Sequence, residues 1–271
     1  MPALYISIGV IVALAIIYLV LIAPSSNKKI QEYKNVLYAH RGLHGNGVAE
    51  NSVTAFRKAV EAGYGIELDI RLSKDGKLVV FHDDTLDRVT NAHGRVDEYT
   101  AEELSRIALS DTEDTVPLFS DVLSLVNGRV PLLVEIKEDA GKYGVSDAAA
   151  EMLKSYTGPY IVESFNPLSL GNFAKKMPDV QRGILSQNYL KDERYRKPLY
   201  FLLGALLLNR VCKPSFIAFN HNHHSSVSLR IARRLFGAVT FAWTVKSAEE
   251  EAAARAHGFD GIIFEGYLPK S

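Results

Sequence analysis

Residues 65–82 decide the fold, and they read GIELDIRLSKDGKLVVFH. Two runs of strand length, 66–73 and 78–82, stand on either side of the turn sequence Lys-Asp-Gly-Lys. A connection of this length suits a hairpin and is far too short for the helical crossover that joins parallel strands. The stretch therefore predicts a strand with a second, antiparallel run folded back on it.

The hairpin predicts which side chains share a face. Side chains alternate between the two faces of a strand, so Glu67, Asp69 and Arg71 point the same way. Pairing outward from the turn sets Arg71 opposite Val80 and Asp69 opposite His82. We therefore expect His82 to lie beside Asp69, on the face that carries the carboxylates.

The rest of the chain alternates between strand and helix patterns. The strand candidates are residues 36–40, 66–70, 132–136, 160–164, 182–185, 216–219, 239–243 and 261–264. Helical patterns lie between most of them, such as 248–257 and 52–62, which Asn51 or Ser52 can cap and Gly63 can stop. Eight parallel strands predict a closed (β/α)8 TIM-type barrel. An open doubly wound sheet is the alternative, but no G-x-G-x-x-G turn follows the first strand.

A long insertion follows the hairpin at residues 83–131, with a short helix expected around residues 100–108. In a barrel, the loops after the strands build the active-site face. The insertion is therefore expected to wall or cover the active site.

An uncharged apolar run at residues 4–22 precedes the barrel. As a helix it would be roughly 28 Å long, close to the thickness of the hydrocarbon core of a bilayer. A cleaved signal peptide is the alternative, but no basic residue precedes the run and its end is a poor cleavage site. We expect residues 1–24 to be one transmembrane anchor, 25–35 a polar linker and 36–271 the barrel domain.

Charge and cysteine content narrow the class of protein. The chain has 31 Lys and Arg against 31 Asp and Glu, so no net field would draw it to nucleic acid. Cys212 is the only cysteine, which excludes an internal disulfide and a cysteine-rich zinc site. Lys28, Lys29 and Lys34 follow the apolar run and predict a cytoplasmic catalytic domain by the positive-inside tendency. Nothing in the sequence indicates an obligate protein partner.

Charged residues cluster at the ends of the first three barrel strands. His40 and Arg41 end the first, Glu67 and Asp69 lie on the second, and Glu135 ends the third. Such residues are costly to bury without a function or a partner. In a barrel these positions converge at the carboxyl-terminal mouth, so the sequence predicts a site there.

The residue types indicate phosphoryl chemistry. Glu67, Asp69 and Glu135 offer hard oxygen ligands for one divalent cation, Mg²⁺ or Ca²⁺. Arg41 and Lys137 add cationic donors for phosphate oxygens.

The two histidines complete the set, because His40 and His82 can supply a base and an acid near neutral pH. One strand-end histidine is more often a structural hydrogen-bonding group, and one Glu-x-Asp pair is more often a solvated strand face. Neither explanation accounts for all of these segments together.

The segments, taken in order, resemble the glycerophosphodiester phosphodiesterase family across residues 36–269. They are His-Arg-Gly at 40–42, Glu-Asn-Ser at 50–52, Glu-Leu-Asp at 67–69, His-Asp at 82–83, Glu-Ile-Lys at 135–137, Glu-Ser-Phe at 163–165, Trp-Thr-Val at 243–245 and Phe-Asp-Gly-Ile-Ile at 259–263. Any one of these is a weak signal, whereas all of them in order are a strong one.

The resemblance implies a barrel enzyme that hydrolyses glycerophosphodiesters to glycerol 3-phosphate and an alcohol. It implies that His40 and His82 are the acid–base pair and that Glu67, Asp69 and Glu135 are metal ligands. It also implies that Arg41 contacts the phosphate and that Lys137 and Trp243 line the pocket. Glu50 is implied as one additional member of the site.

The sequence also departs from the family pattern. Ala49 stands where the family usually has Pro, and Ser52 replaces Thr, which should alter a turn rather than the chemistry. The last strand ends in Phe264-Glu265 where Thr-Asp is usual, so Glu265 is left out of the predicted site. His44 is expected to be a solvated loop residue rather than a pocket residue.

Two further segments and three functional alternatives remain open. The Leu-rich run 199–208 is too short to span a bilayer and is either a buried barrel helix or an interfacial segment that presses the pocket mouth against lipid. The histidines in 220–224 resemble a metal cluster by composition, but adjacent loop residues rarely converge on one ion.

Lysophospholipids are an alternative substrate. A catalytically silent lipid-binding protein on the same fold, or an unrelated metal-dependent barrel enzyme, are alternatives of other classes.

Overall fold

The structure is a computed structural model that describes residues 2–25, 28–139, 141–191, 195 and 197–270. Residues 26 and 27 of the predicted linker, and the last residue of the predicted barrel domain, lie outside this part of the chain. The strands are β1 Leu37–Ala39, β2 Gly65–Leu72, β3 Leu78–Val80, β4 Leu132–Ile136, β5 Tyr160–Ser164, β6 Arg182–Ser186, β7 Phe216–Asn220, β8 Val239–Val245 and β9 Gly261–Phe264.

Eight of these strands form a closed parallel barrel. The order around it is β1-β2-β4-β5-β6-β7-β8-β9, and β9 pairs with β1 to close the ring. The predicted TIM-type barrel is therefore confirmed, and the open sheet is wrong. β3 is the additional strand and pairs antiparallel with β2 alone among the described strands, as the short turn requires.

Ten helices lie within the described part of the chain. They are α1 Pro2–Ile22, α2 Val53–Ala62, α3 Ala101–Leu104, α4 Phe119–Val126, α5 Gly144–Leu153, α6 Pro167–Lys176, α7 Pro198–Gly204, α8 Asn209–Cys212, α9 Val227–Phe236 and α10 Ala248–Ala256. Short 3₁₀ turns occupy Lys28–Tyr33, Val96–Glu98, Tyr189–Lys191 and His221–His223.

Local signals set the ends of several helices. The Ser52 hydroxyl caps α2 by accepting the Ala55 N–H at 3.1 Å, and Gly63 ends the helix in the left-handed conformation. Within the insertion, α3 is shorter than the predicted helix at 100–108. Thr100 caps it, with Glu103 in a reciprocal capping box, and it ends at Leu104.

The predicted hairpin register is wrong by one residue. Arg71 pairs with Val79 rather than with Val80. The Ser73 N–H donates to the Lys77 carbonyl at 2.9 Å, which leaves a loop of three residues closed by Gly76 at a φ of 74°. A left-handed glycine allows this shorter loop and moves every pair beyond it by one residue. Asp69 therefore faces Phe81, and His82 follows the end of the strand.

The barrel interior is apolar at its amino-terminal end. Tyr38, Phe216 and Phe241 fill it, and Ile30 from the first 3₁₀ turn packs against the same cluster with 2% of its surface exposed. The segment predicted as a polar linker thus includes a side chain that closes the floor of the barrel. This packing leaves the carboxyl ends of the strands open for the site.

Helix α1 has the length and apolarity to cross a membrane, a test that a signal sequence also passes. Its last turn packs on the barrel. Ile22 is fully buried, its carbonyl accepts a hydrogen bond from Asn209 Nδ2 at 2.8 Å, and the Tyr18 hydroxyl lies 2.9 Å from Ser228 Oγ. The remainder of the helix is exposed: only 6% of its most apolar window is buried.

Candidate active site

The turn after β1 is shaped by two residues in the left-handed conformation, Arg41 at a φ of 55° and Gly42 at 79°. This conformation directs the Arg41 backbone N–H at Glu67 Oε2, 2.9 Å away. A Cβ on Gly42 would lie 2.8 Å from Ala55 Cβ, so only glycine fits here. The His-Arg-Gly sequence therefore sets the geometry of the turn as well as its chemistry.

Three carboxylates converge at the mouth of the barrel. Glu67 and Asp69 lie on β2, and Glu135 lies beside Asp69 on β4. All three are at most 6% exposed, and their ligand oxygens lie within 4.8 Å of one another. The structure thus brings together the three residues that the sequence predicted as metal ligands.

Cationic and amide groups surround these carboxylates. Lys137 Nζ lies 2.8 Å from Glu135 Oε1 and 3.2 Å from Asp69 Oδ1, while Arg41 Nε is 3.6 Å from Asp69 Oδ2. The buried Asn51 amide donates to Asp69 Oδ2 at 2.8 Å. Asp69 is thus fixed from three sides.

The protonation tendencies of the carboxylates differ. Burial and repulsion from Asp69 and Glu135 raise the pKa of Glu67 well above its usual value. Burial also raises the pKa of Glu135, to about 7, although Lys137 opposes the shift. Burial acts in the same direction on Asp69, but Lys137, His82 and Arg41 outweigh it and lower the pKa of that carboxyl. The protein's own cations therefore compensate the negative charge of Asp69 better than that of the other two.

A divalent cation fits this arrangement. Asp69 Oδ1 is buried and accepts no hydrogen bond, although Lys137 forms an ion pair with it. The donor set is entirely carboxylate oxygen, which suits Mg²⁺ or Ca²⁺. Burial and charge repulsion raise the pKa of Glu67 and of Glu135, and a cation would offset the repulsion.

Each predicted histidine is oriented by a carboxylate. His40 Nδ1 lies 2.6 Å from Glu265 Oε2, and His82 Nδ1 lies 2.5 Å from Asp83 Oδ1. Because Nδ1 of each histidine contacts a carboxylate, Nε2 of each ring is the nitrogen left for substrate. In His40, Nε2 lies 4.0 Å from Glu67 Oε2.

An ion-pair network connects the two histidine-bearing segments. Arg88, from the insertion, contacts Asp83 at 2.5 Å and Glu50 at 2.6 Å. Glu50 in turn pairs with Arg41 at 2.7 Å. The structure thus places Glu50 between two arginines, outside the carboxylate cluster.

Sequence reasoning missed several members of this site. Glu265 was left out because it departs from the family pattern, yet it orients His40 and pairs with Lys246 at 3.3 Å. Arg88 was missed because no motif marks it: Asp83 is five residues away, but its other partner, Glu50, is 38 residues away. Glu163 is 1% exposed, and its buried Oε2 is unpaired; burial, then Glu67 and Glu135, raise the pKa of this carboxyl well above its usual value.

The cavity above these groups has a volume of about 820 Å³. Its polar end includes His40, Arg41, His82 and Lys137, and the Trp243 ring lines the same space with its buried Nε1 unpaired. Apolar and aromatic side chains form much of the remaining wall: Phe165, Leu168, Leu185, Tyr189, Tyr195, Leu199, Tyr200, Leu203, Leu208 and Val211. The cavity is therefore an ionic pocket joined to an apolar cleft.

Other histidines have separate environments. His44 is partly buried, and one of its ring nitrogens lies within 4.8 Å of His40 and Glu265 ligand atoms. His221 lies 3.6 Å from Glu250, and His223 Nδ1 accepts the Asn188 N–H at 3.2 Å. His224 stacks on the ring of His257. The three histidines of the 220–224 segment thus turn to different partners.

The profile described as "Glycerophosphoryl diester phosphodiesterase family" matches residues 40–266. The chain belongs to this family. It is therefore a phosphodiester hydrolase, and the matched region contains the three carboxylates, both histidines and Glu265.

Named relatives agree with the assignment to the glycerophosphoryl diester phosphodiesterases. A glycerophosphodiester phosphodiesterase of Caldanaerobacter subterraneus subsp. tengcongensis is 32% identical over 250 residues, which cover 85% of this chain and 93% of the relative. One from Bacillus altitudinis is 37% identical over 166 residues, 57% of this chain and 67% of that protein.

Solved structures of the family share the fold. The glycerophosphodiester phosphodiesterase of Thermotoga maritima superposes with a TM-score of 0.66 at 28% identity, covering 85% of this chain and 94% of that one. An Oleispira antarctica phosphodiesterase, solved with the product sn-glycerol-3-phosphate, gives a TM-score of 0.72 at 21% identity over 86% of this chain and 94% of its own.

The contact between His40 and Glu265 predicts an effect of Glu265 on turnover. Replacing Glu265 with Gln leaves a hydrogen-bond partner but removes the charge that favours the imidazolium, and replacing it with Ala removes both. We expect kcat to fall about 10- to 100-fold in Glu265→Ala, less in Glu265→Gln, as measured in steady-state assays with a glycerophosphodiester.

Lys246→Ala is the matched control for Glu265. It removes the other partner of Glu265 and leaves the contact with His40 in place. It should therefore change kcat by less than about twofold. Equal losses in Lys246→Ala and Glu265→Ala would show that Glu265 does not act through His40.

Proposed function

We propose that the enzyme hydrolyses glycerophosphodiesters to glycerol 3-phosphate and an alcohol, using one divalent cation and the histidines His40 and His82. The observation that carries this proposal is the buried cluster of Glu67, Asp69 and Glu135 in a cavity that both histidines line. A divalent cation bound by these carboxylates would polarise a phosphoryl oxygen and offset the charge of the transition state.

Arg41 and Lys137 are proposed to hold the phosphodiester. Both line the cavity and are only 14% and 12% exposed. Although burial favours their neutral forms, Asp69 and neighbouring carboxylates raise the pKa of Arg41 and of Lys137, so both stay charged. Two fixed cations beside the carboxylates would position the anionic phosphate between the histidines.

The two histidines are proposed to move protons in opposite directions. The Nε2 atom of one histidine accepts the proton of a glycerol hydroxyl, and the oxygen of that hydroxyl attacks phosphorus and forms a cyclic phosphate. The other histidine donates its proton to the oxygen of the departing alcohol as the P–O bond breaks. Water then opens the ring with the roles reversed, which restores both protonation states.

Lysophospholipids are the second candidate substrate, favoured by the apolar wall of the cavity. A glycerophosphate group needs only the ionic end, whereas the wall formed by Leu185, Leu199, Leu203 and Leu208 offers a surface for an alkyl chain. Burying such a chain stabilises a complex by roughly 0.8 kcal/mol per CH₂ group.

We further propose that α1 is an uncleaved membrane anchor with the barrel on the cytoplasmic side. The support is its length, its lack of charge and the lysines after it. The seating of Ile22 on the barrel also favours retention of the helix, because cleavage would expose buried apolar surface.

The substrate and cation requirements can be tested together. The full-length enzyme is assayed with glycerophosphocholine, glycerophosphoethanolamine and lysophosphatidylcholine, first as purified, then with EDTA, then with Mg²⁺ or Ca²⁺ restored. We expect glycerol 3-phosphate or its acylated form as product, at least a 100-fold loss with EDTA, and recovery with one of the cations. Activity that EDTA leaves unchanged would contradict the metal assignment.

Leaving-group chemistry can separate the roles of His40 and His82. We expect His40→Ala and His82→Ala each to lower kcat on glycerophosphocholine by about 10²- to 10⁴-fold. A p-nitrophenyl ester of glycerol phosphate needs little protonation of its leaving group. It should therefore restore most of the rate in the variant that lacks the acid, and in that variant alone.

A histidine variant that keeps near-normal turnover on glycerophosphocholine would contradict the role of that histidine. His93→Ala is the control, because this exposed residue in the insertion pairs with Asp87 outside the cavity. It should behave as wild type with both substrates.

A further inference from the structure

The docking of α1 fixes the direction in which the rest of that helix projects. Tyr18 contacts Ser228, which lies in the first turn of α9, just after the carboxyl end of β7. The Ser25 N–H donates at 2.7 Å to the carbonyl of Pro214, which precedes the amino end of β7. The chain thus runs from the mouth of the barrel towards its floor between Tyr18 and Ser25. The earlier residues of α1 therefore extend beyond the mouth.

The part of α1 that precedes Tyr18 is apolar and does not pack on the barrel. The side chains of residues 5–17 are exposed, whereas Tyr18, Leu19 and Ile22 pack on the barrel. If these exposed residues lie in the hydrocarbon core of a bilayer, the barrel rim beside Tyr18 lies next to the membrane surface.

Exposed apolar side chains lie on that rim. They follow the carboxyl ends of β5, β6 and β7 and are between 36% and 66% exposed. We call this set the apolar rim: Leu168, Leu190, Leu199, Phe201, Leu202 and Val227.

Helix α7 belongs to the mouth, because its Leu203 carbonyl accepts a hydrogen bond from Ser186 at the carboxyl end of β6. None of its described residues is buried, so the hypothesis of a buried barrel helix at 199–208 is wrong for this part of the run. Tyr200 of α7 packs ring to ring with Tyr189 and Tyr195, with centroids 4.8–5.4 Å apart among the three rings. Tyrosine is enriched where one end of a side chain is apolar and the other is hydrated, as at a membrane surface.

Exposed apolar residues alone would not identify a membrane surface. Leu235 and Phe236 are also exposed, at the far end of α9 near the floor of the barrel. What distinguishes the apolar rim is its continuity with α1: Val227 is the residue before Ser228, which α1 contacts.

We propose that the apolar rim is a membrane-docking surface that inserts into the interface of the bilayer crossed by α1, so that the catalytic cavity opens onto the lipid. The inference rests on the proposed anchoring by α1. Leu168 and Leu199 lie on both the rim and the cavity wall, so the wall continues into the docked surface. A single-chain phosphodiester lipid could enter the cleft with its alkyl chain still in an apolar environment.

Depth measurements test this orientation directly. Leu190→Cys, Phe201→Cys and Leu235→Cys are each labelled with the fluorophore NBD in the full-length protein, reconstituted in phosphatidylcholine–phosphatidylglycerol vesicles. The buried Cys212 is 1% exposed and should not react. We expect blue-shifted emission and quenching by acyl-chain doxyl lipids for the labels at 190 and 201. The label at 235 should be quenched by aqueous iodide instead.

Two results would overturn the proposal. Labels at 190 and 201 that behave like the label at 235 would show that the rim is in water. Labels shielded from iodide but not quenched by doxyl lipids would show that protein, such as a second copy of the chain, covers the rim.

A kinetic comparison separates docking from catalysis. Leu190→Ser/Phe201→Ser should lower hydrolysis of vesicle-embedded lysophosphatidylcholine about tenfold and leave that of soluble glycerophosphocholine within about twofold. Neither mutated residue lines the cavity. Leu235→Ser/Phe236→Ser is the matched control and should alter neither rate.

Equal loss with both substrates in Leu190→Ser/Phe201→Ser would overturn a docking role for Leu190 and Phe201. A wild-type enzyme that is inactive on both would contradict the proposed function, while the labels would still decide the orientation.

Discussion

Electrostatic repulsion within the buried cluster of Glu67, Asp69 and Glu135 is the constraint on which the site depends. Carboxylate oxygens within 4.8 Å of one another and shielded from water cannot all stay ionised without positive charge nearby. Arg41 and Lys137 supply part of that charge and chiefly compensate Asp69. Burial and the remaining repulsion raise the pKa of Glu67 and of Glu135, and a divalent cation would offset that repulsion.

The fold positions the other groups around this cluster by a few local devices. A left-handed turn at Arg41 and Gly42 directs a backbone N–H at Glu67, and the tight hairpin brings His82 back over β2. Glu265 and Asp83 each engage one histidine at Nδ1. Asp83 is the neighbour of His82, whereas Glu265 is 225 residues from His40, so the His40 contact forms only when β9 closes the barrel on β1.

Much of the fold and of the carboxylate cluster could be predicted from sequence, because strand periodicity and strand-end charges are local signals. The hairpin register could not, since it depends on the left-handed conformation of Gly76, which shortens the loop by one residue. Glu265 and Arg88 were missed for another reason. Glu265 is 225 residues from His40 and Arg88 is 38 residues from Glu50, and no spacing rule connects either pair. The descent of α1 along the barrel likewise depends on contacts that only the folded chain reveals.

Cation binding by the stripped enzyme tests the central claim most directly. Isothermal titration of Mg²⁺ and of Ca²⁺ into EDTA-treated, dialysed protein should reveal one site per chain for at least one of the cations. Asp69→Asn should lose that binding and keep the barrel's circular dichroism spectrum, because its amide can still accept a hydrogen bond from Asn51. Absence of binding for both cations, or equal binding in wild type and Asp69→Asn, would contradict the account.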